Sequence, residues 1–196
     1  MFESVRAYYQ KLIPQLQDHE WSAIESRFTV QHLKKGELLT RQGEICRQVS
    51  FINKGLLRFF YNVDGRSVSI GFMPEGEYIA QYDSFLVQAP SKGNIDVLED
   101  AELVNLSYTD VQELYAAYPV FQVFGRKIAE MLFMMVVSQT TSLLTLSPEE
   151  RYLAVAEEEP YIIRRVPQYL IASYIGITPE HLSRLRRKLA RKAGVA

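Results

Sequence analysis

Residues 168–187 read QYLIASYIGITPEHLSRLRR, and the spacing inside this stretch decides how the whole chain is read. Two short helices that cross steeply around a tiny shared core need a small residue at the crossing and a turn residue that tolerates positive φ. Ala172 supplies the first and Gly176, four residues on, the second. Ile171, Ile175 and Ile177 flank the turn, while Leu182 and Leu185 repeat at i, i+3 on the second helix. Thr178 suits an N-cap and Pro179 the first helical position. The stretch is therefore expected to form a helix-turn-helix. A helical hairpin used only for packing is the competing reading, and it leaves this combination of positions unexplained.

The charge distribution points the same way. Formal net charge is −1 over 196 residues. Residues 160–196, however, carry eight Arg or Lys and one acid (net +7), against 14 basic and 22 acidic side chains (net −8) in the remainder. A basic tail alone is equally a solvated end or a polyanion-binding surface. Here the tail coincides with the second helix, whose outward positions are Pro179, Glu180, Ser183, Arg184 and Arg187. Entering a major groove by its N-terminal end, such a helix would set Arg184 to bond guanine and Glu180 to accept from a cytosine amino group. Arg186, Arg187, Lys188, Arg191 and Lys192 lie further along and are expected at phosphates, with His181 at either. Double-stranded DNA is the partner this predicts.

Upstream, residues 1–27 show helical spacing interrupted at Pro14, and residues 28–107 break into short β-like runs with glycines at the breaks. The runs are Phe28–His32, Val49–Asn53, Leu56–Val63, Ser67–Met73 and Leu103–Ser107, with Asp64-Gly65 as a hairpin turn. Many short strands at near-regular spacing suggest an antiparallel barrel or roll. Residues 120–145 then form one long helix, more apolar than a surface helix requires, which packs on its own roll, on a second copy, or on both. Ser147-Pro148-Glu149-Glu150 has the form of a capping box that opens the next helix, stopped by Pro160.

Several function classes are disfavoured. No apolar run approaches the ~18 residues of a membrane helix, and the first residues lack a secretory h-region. The one cysteine, Cys46, suits a reducing cytoplasm. His19, His32 and His181 are scattered, and neither a phosphate loop nor a nucleophile elbow is present, so neither catalysis nor a metal or cofactor is expected.

These parts in this order resemble the Crp/Fnr family of bacterial transcriptional regulators. The resemblance rests on Gly36-Glu37-Leu38, Gly43, Gly55 and Gly76-Glu77-Tyr78 in the roll, on the long helix, and on the helix-turn-helix. Ser147–Tyr152 and Val166-Pro167-Gln168 are similar to the branch common in Bacteroidetes-type bacteria. The resemblance implies an α+β chain. Its N-terminal antiparallel β-roll would be of the cyclic-nucleotide-binding-like, jelly-roll type (1–118), followed by a long dimerisation helix (119–146) and a C-terminal helix-turn-helix domain (147–196). It further implies a homodimer through residues 120–145 on a pseudo-palindromic operator, with RNA polymerase as a candidate partner. On the family's pattern Glu180 and Arg184 match base-reading positions, with Ser183 and Pro179 beside them, and Gln168 and Thr178 match backbone contacts.

The departures are informative. Where cyclic-AMP binders carry Gly-Glu-Leu, this chain has Ala80-Gln81-Tyr82, and in place of an Arg-Ser pair it has Ser91-Lys92-Gly93-Asn94. A lone lysine substitutes poorly for a bidentate guanidinium, so cyclic AMP is not the expected effector. Tyr78, Gln81, Tyr82 and Lys92 are the candidate pocket residues for an unknown small molecule, with core packing as the main role of the aromatics. A cysteine cluster for iron–sulfur sensing is absent, and the β-hairpin wing of many relatives is expected to be missing or rudimentary. The alternative function is a ligand-binding sensor or scaffold whose basic helices do not read DNA.

Overall fold

The structure is a computed structural model describing residues 2–192, with Lys192 described only by its place in a helix. Residues 193–196 of the expected C-terminal domain, and the Lys192 side chain expected at a phosphate, lie outside the described residues. Helices α1 (Glu3–Leu12) and α2 (Asp18–Glu25) precede strands β1 (Thr29–Leu33), β2 (Leu38–Thr40), β3 (Gln48–Val63), β4 (Arg66–Pro74) and β5 (Tyr78–Ile79). A short helix α3 (Tyr82–Val87) leads to β6 (Asn94–Ser107), α4 (Tyr108–Ala117) and the long α5 (Pro119–Thr145). The chain continues through α6 (Pro148–Glu158), α7 (Pro160–Arg165), α8 (Gln168–Tyr174) and α9 (Pro179–Lys192).

Two compact units result. The chain up to Phe59 groups with Phe72–Phe133, and Phe60–Gly71 groups with the chain from Met134 onward. The expected boundary at 118/119 thus falls inside the first unit. The tip of the β3–β4 hairpin and the second half of α5 belong with the C-terminal helices.

The first unit is built on a sheet of order β1-β6-β3-β4, with β2 also on β6 and β5 on β3. β1 and β6 run antiparallel, from Thr29 opposite Asn105 to Leu33 opposite Ala101. Ile52, Leu57, Ile79, Ile95, Val97 and Leu103 fill one core. A second core collects Tyr9, Ile13, Trp21 and Ile24 from the N-terminal segment with Phe121 and Phe124 of α5. Phe124, expected on the apolar stripe of the long helix, is spent here, stacked on Tyr9 with ring centroids 4.0 Å apart.

Turn chemistry behaves as read. Asp64 and Gly65 both adopt positive φ, 48° and 74°, as a type I′ hairpin turn requires. Gly55 does not. Expected as a break between two strands, it lies inside the 16-residue β3. A Cβ there would lie 2.9 Å from the Ala101 Cα, so glycine marks a close backbone approach rather than a strand end.

Strand β6 is likewise longer than the sequence suggested, 14 residues instead of five. Its first half is masked by charge, and the neighbouring strand explains one of those charges. Arg58 of β3 donates to Asp96 through Nε (2.9 Å) and Nη2 (2.6 Å), a bidentate pair with side chains only 9% and 17% exposed. Removing one partner of a buried pair costs more than the pair contributes, because a charge is left in low dielectric. Asp96→Ala is therefore expected to lower unfolding free energy by about 3 kcal/mol in denaturant titration. A change below about 0.5 kcal/mol would show that water reaches the guanidinium.

Candidate nucleic-acid interface

Helix α6 starts as the sequence indicates. The Ser147 side chain accepts from the Glu150 N–H (3.3 Å), and Glu150 Oε2 accepts from the Ser147 N–H (2.8 Å). These bonds hold the Glu150 carboxyl below the usual carboxylate range. One turn on, Arg151 reaches two carbonyls, Leu146 through Nη1 (2.6 Å) and Ile175 through Nε (2.8 Å). It thereby fastens the start of α6 to the C-terminal end of α8.

The α8–turn–α9 geometry follows from the small shared core. Ala172 and Leu182 are fully buried, and Ile171, Ile175 and Leu185 are 2%, 2% and 6% exposed. The turn closes with Gly176 at φ +74° and a bond from the Ile177 N–H to the Ala172 carbonyl (2.9 Å). Thr178 caps α9, its Oγ1 accepting from the His181 N–H (3.2 Å). Leu182 and Leu185 turn inward, so the opposite face of α9 must look outward. Pro179, Glu180, Ser183, Arg184 and Arg187 are all exposed, as are Gln168, Thr178, His181, Lys188 and Arg191, whereas Arg186 is half-buried. Glu180 sits below the usual carboxylate range, held by its own backbone N–H, the Thr178 hydroxyl and the charge of Arg184.

Four features of this unit lie beyond what the sequence suggests. Tyr169, 61% exposed, presents a ring beside Gln168. Ser173 accepts from the Ser69 N–H (3.0 Å) and donates to the Ser67 carbonyl (3.1 Å), which ties the hairpin tip to α8. Gln139 of α5 adds a bond to the Ile70 carbonyl (2.7 Å). Lys188, expected free for a phosphate, donates to Glu149 of α6 at 2.5 Å. The Thr178 cap carries a local signal because capping chemistry is short-range, while these three contacts join residues 39 or more apart in sequence.

The effector candidates of the roll sit in different surroundings. Tyr78 lies in the aromatic core, 5.3 Å from Phe51 and 5.4 Å from Tyr8 between ring centroids. Tyr82 is half-buried beside Phe85, the two rings nearly parallel. Lys92 is exposed. Gln81 is fully buried, and neither of its side-chain polar atoms has a hydrogen-bond partner. Ser91 is buried, with its hydroxyl donating to the Gly93 carbonyl (2.8 Å).

Comparison with known proteins now bears on this geometry. Residues 30–118 match the cyclic nucleotide-binding domain family. A Crp/Fnr-family regulator from Eubacterium rectale superposes with TM-score 0.74 at 17% identity, over 94% of this chain and 88% of that one. The catabolite activator protein of Thermus thermophilus gives 0.58 at 22% identity, over 93% and 87%. The c-di-GMP-responsive regulator CLP of Xanthomonas campestris gives 0.69 at 16% identity, over 90% and 93%. No curated protein matches by sequence. Residues 30–118 are thus similar in sequence to the cyclic nucleotide-binding domain family. Over nearly its whole length the chain shares the fold of these three structures. Among the described residues, no helix is long and apolar enough to cross a membrane.

A cyclic nucleotide brings an anionic phosphate, and the residues at the two expected segments do not match it. Gln81 is a neutral amide, Lys92 faces out, and the buried Arg58 is already neutralised by Asp96.

Where α6, α7 and α8 meet, Tyr161 and Tyr174 both donate to Glu159 at 3.1 Å. Burial pushes the Glu159 carboxyl above the usual range, partly offset by those two hydroxyls. The folded chain then holds this proton more tightly than the unfolded chain. Stability that is complete below about pH 4.3 is lost as pH rises through the higher folded value. Glu159→Gln is expected to flatten the dependence of the unfolding midpoint on pH from about 4 to about 7. An unchanged slope would remove Glu159 from that account.

Proposed function

We propose that this chain is a sequence-specific, DNA-binding transcriptional regulator of the cytoplasm. It acts without catalysis, as a homodimer whose α9 helices read a pseudo-palindromic operator. The carrying observation is the segregation of α9: Leu182 and Leu185 buried, and Glu180, Ser183, Arg184 and Arg187 exposed together on the other face. Pro179, Glu180, Ser183 and Arg184 read base edges, while Gln168, Thr178, His181, Arg187 and Arg191 meet the backbone. Arg186 is a weaker member of that set, being half-buried.

Pairing is supported by the exposed apolar surface of α5. Phe133 is 66% exposed, Met134 62%, Val136 54% and Leu144 80%. An apolar surface of this kind is rarely left to water. Two copies joined along α5 would present two reading heads about one helical turn, roughly 34 Å, apart.

The roll is proposed to take a small molecule other than cyclic AMP, because the charged groups that would grip the cyclic phosphate are replaced or turned away. That CLP, of the same fold, is described as c-di-GMP-responsive supports an architecture not bound to one effector. RNA polymerase is the further partner of a regulator that activates.

Selection from a random duplex pool is expected to return two inverted half-sites. On the selected site, Glu180→Ala should relax preference at one base pair, a loss of about 1–3 kcal/mol in discrimination. Arg187→Ala should weaken all sequences alike and flatten the salt slope by about one unit. No enrichment, or equal effects of both variants on specific and random DNA, would favour the sensor-or-scaffold reading. Calorimetry is expected to detect no cyclic AMP site at micromolar concentration, and such a site would overturn the effector assignment.

A further inference from the structure

One groove of the C-terminal unit, about 350 Å³, lies between the start of α6 and the face of α9, with Ser147 and Glu149 on one wall and His181, Arg184 and Lys188 on the other. Arg184 is also a base-reading position in the proposed function, so any DNA that reaches it brings its phosphates to this groove. The groove is not uniformly cationic. Glu149 Oε2 lies 2.5 Å from Lys188 Nζ, with the carboxylate 26% and the ammonium 57% exposed. A carboxylate thus stands on the wall where a phosphate would be welcomed, paired with a lysine that sequence alone assigns to the phosphate.

From this geometry we infer that Glu149 is a built-in competitor for the DNA backbone: it neutralises Lys188 and limits affinity for all duplexes alike. The inference rests on the DNA-binding reading and adds a positioning residue to it. The physical reason is counterion release. Each cation that neutralises a phosphate steepens the fall of log affinity with log salt by about 0.9. A lysine that keeps its own carboxylate contributes no net charge. If Lys188 swings to a phosphate instead, the Glu149 carboxylate stays beside the polyanion. On either course the groove offers one positive charge fewer than its lysine suggests. The effect is blind to sequence, because Glu149 lies on the wall of α6 and not among the base-reading positions.

The test is a double-mutant cycle on random duplex DNA between about 50 and about 200 mM salt. Glu149→Gln is expected to bind more tightly at the lower salt and to steepen the slope by about one unit, a further three- to fourfold loss across that range. Lys188→Gln removes the cation but keeps the carboxylate, and should bind more weakly with a flatter slope. The double variant should return to the parent slope. Glu149→Gln indistinguishable from the parent, with the double variant matching Lys188→Gln, would show an ordinary phosphate-contacting lysine and overturn the inference. If thermal unfolding shows that Glu149→Gln does not fold, comparing Lys188→Gln with the double variant decides the same question, since only a competing carboxylate lets the second change rescue the first. Failure of the DNA reading is distinguishable from both, because the parent chain would then bind no duplex even at the lower salt.

Discussion

The packing of α8 on α9, with Ala172, Leu182 and Leu185 buried, is the constraint on which the rest depends. Ala172 has no exposed surface, and a larger residue there would overpack a core with almost no slack, typically at about 1–3 kcal/mol. Each buried leucine contributes about 1.5–3 kcal/mol relative to leaving it in water. The larger consequence is geometric. With two positions of α9 fixed inward, the rotation of the helix about its axis is fixed. Which charged side chains meet solvent then follows from a period of about 3.6 residues. Glu180, Ser183, Arg184 and Arg187 are exposed as a group because the leucines are not.

That small core does not hold its orientation alone. Arg151 bonds the carbonyl of Ile175 at the end of α8, and Ser173 holds the β3–β4 hairpin tip through its hydroxyl. The polypeptide passes between the two units three times, after Phe59, after Gly71 and after Phe133. Two of those crossings are the strands of a single hairpin, whose tip carries the Ser67 and Ser69 backbone groups bonded by Ser173.

What is legible in the sequence is what local rules govern. Caps, the hairpin turn at Asp64-Gly65 and the inward positions of α8 and α9 are each decided within about four residues by φ, by sterics or by one side-chain bond. The strands of the roll are legible only in part. β6 is readable from Leu103 onward, where apolar residues predominate, and hidden from Asn94 to Glu102, where Asp96, Glu99 and Asp100 imitate a loop. No local rule shows that Asp96 is a strand residue facing Arg58, 38 residues away. Gly55 misleads for the same reason, since its need to be glycine comes from Ala101 on another strand. The candidate site divides along the same line. The outward face of α9 is readable, whereas Glu149 beside Lys188 and Ser173 beside Ser69 are products of tertiary packing.

Charge shows how far such local reading carries. The acidic excess of residues 1–159 and the basic excess of residues 160–196 nearly cancel in the total, and a net charge of −1 predicts no attraction to DNA at all. Screening resolves the apparent conflict. At physiological ionic strength exposed charges are felt over about 8 Å, so a duplex responds to the groups within roughly a Debye length of the surface it approaches. For α9 these are its own cations, diminished by whichever acids pack against it. Glu150 is turned back onto the cap of its own helix, whereas Glu149 pairs with Lys188 of α9. In the proposed complex, the acids that set affinity are therefore the few that the fold carries beside α9.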